Sequence, residues 1–126
     1  MRPIEFKAQN VNGAWVFGNL SILKKKLGNV ATGSYISNSA GEPFAYKVRP
    51  ETVSQFTGLK YKNGKKIFEG DIGWDEHNEC YGVVKFEEGK FLYVWENIAE
   101  DLREVADSIE IYGNIHENPE LLEALK

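Results

Sequence analysis

A mainly β fold follows from three features of the 126-residue chain. Short segments alternate apolar and polar residues, Asn-Gly pairs and glycine-bearing polar links fall between them, and only the last residues carry a clear helix start. Segments this short are unstable alone, so their apolar sides need a curled sheet or a second layer. The expected architecture is a small meandering antiparallel sheet or partly closed barrel with an N-terminal β-hairpin region and a short C-terminal helix. Within one domain spanning 1–126, residues 1–48 form the β-rich N-terminal part, 55–115 the meander and 119–125 the packing helix.

Ile4, Phe6 and Ala8 alternate with Glu5, Lys7 and Gln9, the period of a strand with one buried face. Asn12-Gly13 supplies a two-residue hairpin turn, because both residue types tolerate positive φ, and Trp15–Phe17 returns. Leu20, Leu23 and Leu27 sit at helical spacing with Lys24, Lys25 and Lys26 outside, predicting a short helix ended by Gly28-Asn29. Residues 30–41 hold a small strand around Tyr35 and Ile36, and Phe44–Val48 is extended. Arg49 is biased out of the helical region by Pro50, and residues 50–57 read as a turn of helix or a structured loop.

Asn63-Gly64 lies between Leu59-Lys60-Tyr61 and Ile67-Phe68, a second hairpin signal. Gly70-Asp71-Ile72 turns into a new strand, Asp75–Glu79 forms a polar tip, and Gly82–Phe86 meets Phe91–Trp95 across a four-residue loop at 87–90. Trp95–Glu104 fits a short acidic helix or a long polar loop equally well. Ile109 and Ile111 alternate with Glu110 and Tyr112 in a last strand, and Asn118-Pro119 starts a helix with Leu121, Leu122 and Leu125 on its apolar side.

Charge is unevenly placed. Residues 1–66 carry nine Lys and two Arg against three Glu, a net +8, and residues 67–126 a net −12. Such a distribution can steer a polyanion, join two copies, or simply balance within the chain. A single Cys80 makes no internal disulfide and no leader pattern opens the sequence, so the reducing cytoplasm is the expected compartment. Apolar runs fall far short of the about 20 residues a membrane helix needs, and no membrane role is expected.

The densest stretch is PETVSQFTGLKYKNGKKIFEGDI, residues 50–72. Thr57, Gly58, Asn63, Gly64, Glu69, Gly70 and Asp71 pair φ-permissive backbone with side chains that bond nearby amides, so they read as devices holding tight bends, as does Asn118 at the terminal helix. Glu69 and Asp71 are a carboxylate pair, but acid–base chemistry needs a cleft and split pKa values as well. This block resembles the central signature of the YopX family, and IEIYGNIHENPELL resembles its closing one. IEFKAQN with its Asn-Gly turn is similar to the family's first hairpin, although Gln9-Asn10 stands where an aromatic and an acidic residue are frequent. The resemblance implies a mainly β protein of phages and prophages of low-GC Gram-positive bacteria, with no established activity. It assigns no role to Thr57, Gly58, Glu69, Gly70, Asp71 or Asn114.

Lys60, Lys62, Lys65 and Lys66, with Tyr61 between them and Phe56 beside them, form a nucleic-acid patch in which lysines neutralise phosphates and an aromatic stacks on a base. The bland alternative is a solvated hairpin with Tyr61 in the core. Asp75, His77 and Cys80 with distant His116 are zinc-type residues at poor spacing, and His77 with Cys80 makes a weak base and thiol pair, so no metal, cofactor or catalytic set is expected. Three Trp, seven Phe and six Tyr suffice for the core; two or more exposed together would mark a binding surface. The expected function is a non-enzymatic phage or prophage accessory protein that binds protein, itself included, with nucleic acid binding through 60–66 as the alternative.

Overall fold

The computed structural model describes residues 5–123. Its internal contacts divide the chain into two compact units, residues 1–56 and 57–126. In the first, β1 (Phe6–Gln9) pairs antiparallel with β2 (Trp15–Gly18), Ala8 opposite Val16. The turn between them corrects the two-residue expectation. Gly13 N donates to Asn10 O and Asn10 N to Ala14 O, which closes a three-residue loop, and Gly13 alone takes the positive φ, at 85°. The Asn10 carboxamide oxygen supports this longer loop by accepting from both Asn12 N and Ala14 N.

The helix read over Leu20–Leu27 is absent. Leu20–Leu23 is β3, paired antiparallel with β4 (Gly33–Ile36), which pairs in turn with β5 (Tyr46–Val48). Leu20 and Ile22 satisfy a strand period as well as Leu20 and Leu23 satisfy a helical one, and the ladder to β4 stabilises the extended form. Gly28-Asn29 forms the turn of a small bridge, Leu27 to Val30. Residues 50–52 form a 3-10 turn with Pro50 in its first position, and Thr52 Oγ1 accepts from Gln9 N at 2.9 Å while donating to Arg49 O at 2.7 Å. Ala8, Ile36 and Val48 are buried together, with Phe6, Val16, Leu20 and Val53 against them. Strand β6 (Ser54–Lys60) begins here, with Ser54 opposite Lys7, and continues into the second unit.

The second unit is built on a five-stranded antiparallel sheet. Its strands are β8 (Asp71–Asp75), β9 (Cys80–Glu87), β10 (Lys90–Trp95), β11 (Ile98–Asp101) and β12 (Ile109–Asn114), in the order β11-β10-β9-β8-β12. The expected meander runs from β8 to β11, and β12 then returns beside β8. Among the described residues the sheet is open, with β11 and β12 at its edges. The link at 87–90 is tighter than read: Glu87 and Lys90 pair, leaving Glu88 and Gly89 as a two-residue turn at φ 51° and 82°. Residues 95–104 are neither one helix nor one loop but β11 followed by α1 (Leu102–Val105), whose start is capped by Asp101 accepting from Arg103 N.

Val84, Tyr93 and Ile109 on the sheet bury with Tyr61, Ile67, Leu102 and Ala106. The short β7 (Lys66–Phe68) delivers Ile67 to that core, and α1 delivers Leu102. The terminal helix α2 covers Glu120–Glu123. Ile4, Leu125 and the side chain of Leu122 lie outside the described residues.

Candidate functional site

The lysine hairpin and the acidic turn after it are one structure. Tyr61 N donates to Lys65 O and Gly64 N to Tyr61 O, with Gly64 at φ 85°, so Asn63-Gly64 forms the same three-residue loop as the first hairpin. Asn63 Oδ1 fixes it by accepting from Lys65 N. Upstream, Thr57 is buried, its hydroxyl donating to Ile67 O at 2.8 Å and accepting from Leu59 N at 3.2 Å, beside Gly58 at φ 87°. Downstream, Glu69-Gly70 turns the chain with Gly70 at φ 89°, and Asp71 enters the core fully buried. Asp71 Oδ2 accepts from Tyr61 OH at 3.1 Å and from Phe68 N at 2.9 Å. Asn63, Gly64 and Gly70 therefore lie in tight turns, whereas Thr57 and Gly58 lie within β6, where the Thr57 hydroxyl ties that strand to Ile67 and not to a bend. Glu69 sits half-buried in its turn.

The central and closing segments meet. Asn114 pairs with Asp71 across β12 and β8, and Ile115 N donates to Gly70 O at 2.9 Å. The Asn114 carboxamide oxygen accepts from His116 N and Glu117 N, both at 2.9 Å. Ahead of the terminal helix, the Asn118 side-chain oxygen reaches back and accepts from Asn114 N at 3.2 Å. The backbone closes the same turn, Asn118 N donating to Asn114 O at 2.9 Å.

Tyr61 is withdrawn from the nucleic-acid contact set. It is 3% exposed, its hydroxyl is bound to Asp71, and its ring belongs to the core, so no base can stack on it. Phe56 is buried too. Lys60, Lys62, Lys65 and Lys66 are all exposed, but Lys62 Nζ lies 2.8 Å from Glu110 and 3.8 Å from Glu76. The bond to Glu110 holds the Lys62 ammonium above its usual pKa. The hairpin also falls in the acidic unit: residues 57–126 carry seven Lys and one Arg against twelve Glu and four Asp, net −8, whereas 1–56 are net +4.

Asp75 is occupied by its own turn, accepting from the backbone N–H of His77 and of Asn78 and from the Asn78 amide. Burial, with Asp75, Glu96 and Glu100 nearby, raises the Cys80 pKa, which disfavours the thiolate a nucleophile needs. Among the described residues no three His, Cys, Asp or Glu side chains gather as a metal set. Three rings do gather. Trp74, Tyr81 and Tyr112 meet edge to face at 4.9, 5.6 and 6.3 Å, with Tyr112 53% exposed at an irregularity in β12.

The Tyr61–Asp71 pair makes alkaline pH a test of this geometry. Burial, then the Asp71 charge and hydrogen bond, raise the Tyr61 pKa, and burial raises that of Tyr93. A raised folded-state pKa contributes stability that is complete below the unfolded value of about 10 and is lost as pH climbs above it. Stability should therefore fall above about pH 10 by roughly 1.4 kcal/mol per pH unit for each shifted tyrosine. Tyr61→Phe should make that decline shallower in urea titrations at pH 9 and 11; an unchanged slope would contradict the pairing.

The model of the YopX protein family matches residues 5–123, nearly the entire chain. The chain belongs to the YopX family. The crystal structure of protein EF1440 from Enterococcus faecalis is similar to it, with a TM-score of 0.60 and 24% sequence identity over 97% of this chain and 99% of that one. At that identity the likeness shows a shared fold. No curated protein matches the chain significantly. Among the described residues, no helix is long and apolar enough to cross a membrane.

Proposed function

We propose that this YopX-family chain is a non-enzymatic accessory protein of a phage or prophage, working inside the bacterial host by binding protein, itself included. The observation that carries this reading is where large apolar side chains stay in water. Of eight such residues among those described, five lie in the 56-residue first unit: Val11, Phe17, Ile22, Leu27 and Tyr46. Single exposed apolar residues are ordinary, and five on one small, net-positive unit supply apolar area that a contact surface can use. The polar residues of the signature block support the same reading, since their hydrogen bonds hold turns. Sedimentation of the purified chain at micromolar concentration, in low and high salt, should give a mass above the monomer. A strict monomer under both conditions would remove the self-association.

Nucleic acid binding is the second reading, favoured by the exposure of Lys60, Lys65 and Lys66 on one hairpin. It requires mixed-sequence DNA or RNA to bind at low salt and to release steeply as salt rises. Absence of binding at low salt would dismiss it.

A further inference from the structure

We infer that β3 is a two-fold seam at which a second copy of this chain pairs edge to edge, an inference that rests on the self-association proposed above and gives it a location. Among the described residues, β3 is terminal in the sheet β3-β4-β5. Ser37 N donates to Asn19 O at 3.0 Å, and Ser21 and Leu23 stand opposite Tyr35 and Gly33. Antiparallel ladders alternate, so Asn19, Ser21 and Leu23 turn their backbone groups to β4, and the N–H and C=O groups of Leu20 and Ile22 point to the open side. Those four groups are the template for an added strand.

The chemistry of the strand selects a copy of itself. Between Lys7 and Lys24 the sequence holds no charged residue. Natural edges are usually protected by charge, and this one is not until Lys24, Lys25 and Lys26 follow it. Opposing the outward groups of the two strands places Leu20 against the partner's Ile22 and Ser21 against the partner's Ser21, with the two-fold axis at Ser21. Directly opposed residues share a face. Leu20 packs on the core of the first unit, and Ile22, two residues on along the same face, is 62% exposed. The seam would therefore lay each Ile22 beside the partner's Leu20 and extend two small cores into one. The two Lys24 residues would stand six strand positions apart, about 20 Å, well beyond the roughly 8 Å over which surface charges act at physiological salt. A basic tract at each end then tolerates one partner and discourages further stacking. By contrast β11, an edge of the other unit, carries Glu100 and Asp101.

The test uses the full chain with Cys80→Ser, so that an introduced thiol is the only one. Ser21→Cys in that background should oxidise with diamide to a covalent dimer on the order of a thousandfold faster than Ser108→Cys, because thiols opposed across a seam meet at millimolar effective concentration whereas surface thiols meet at micromolar. Ser108 is exposed and remote in sequence. Ile22→Lys, which puts a charge on the seam at a position already in water, should return the sedimenting species to monomer mass with its circular dichroism unchanged. Equal oxidation rates at 21 and 108, together with an unshifted mass for Ile22→Lys, would overturn the seam while leaving the association of the wild-type chain standing. A wild-type chain that sediments as a strict monomer would overturn both.

Discussion

Replacing Asp71 with Ala should lower the stability of the second unit by about 3–5 kcal/mol, read as a shift in urea midpoint at unchanged slope. Asp71 is fully buried and anchors both the Tyr61 hydroxyl and the Phe68 amide. Its loss strands two buried donors, each costing about 1–3 kcal/mol without an acceptor, and opens a small void between β7 and β8. Asp71→Asn retains the volume and one acceptor oxygen and should cost about half as much. Equal losses for the two variants would show that the charge on the acceptor matters more than its presence. A loss below 1 kcal/mol for Asp71→Ala would mean that water or a rearranged turn satisfies Tyr61 and Phe68.

Gly82→Ala should cost about 3 kcal/mol, near the top of the range for overpacking. A Cβ there would meet the Tyr93 ring and lie 2.7 Å from its hydroxyl. Tyr93 is fully buried and cannot swing into solvent. Gly73, which faces Gly82 across β8 and β9, is similarly close-packed, with Ile109 and Tyr93 over it. The two glycines form a bare strip under the fully buried Tyr93 ring. Tyr93→Ala alone should cost about 3–5 kcal/mol, by removing that ring. Once the ring is gone, adding the methyl at 82 has nothing to collide with, so the double variant should be no less stable than Tyr93→Ala alone. Additive losses would place the cost of Gly82→Ala in the backbone instead of in this contact.

Those two sites mark how far local pattern reading reaches. Alternation along Phe6–Ala8, Val84–Phe86 and Ile109–Ile111 announces strands because side chains on a strand alternate faces whatever the partner strand is. Asn-Gly at 12–13 and 63–64 announces hairpins because glycine accepts positive φ, and both lie in hairpins. Loop length was not legible: it depends on whether the asparagine of Asn-Gly takes positive φ, and here neither Asn12 nor Asn63 does, while the carboxamides of Asn10 and Asn63 hold a longer loop. The family signature could be read from residues 50–72 and 109–122, while the contact of those two segments at Gly70 and Asp71 could not, since some forty residues separate them.

By itself the sequence determined the mainly β class, the positions of most strands and the turn chemistry of Asn63, Gly64 and Gly70, because each depends on a residue and its close neighbours. Tertiary structure alone decided what depends on distant partners. Leu20–Leu23 is a strand because β4 lies beside it, and Tyr61 faces inward because Asp71 waits there for its hydroxyl. The boundary between units falls at 56, ahead of the lysine hairpin and not behind it, which places four lysines among the acidic residues and leaves the first unit only moderately positive. Charge along a chain is a property of order, whereas charge on a surface depends on which strands pair, and pairing is settled by the burial of side chains that lie far apart in sequence.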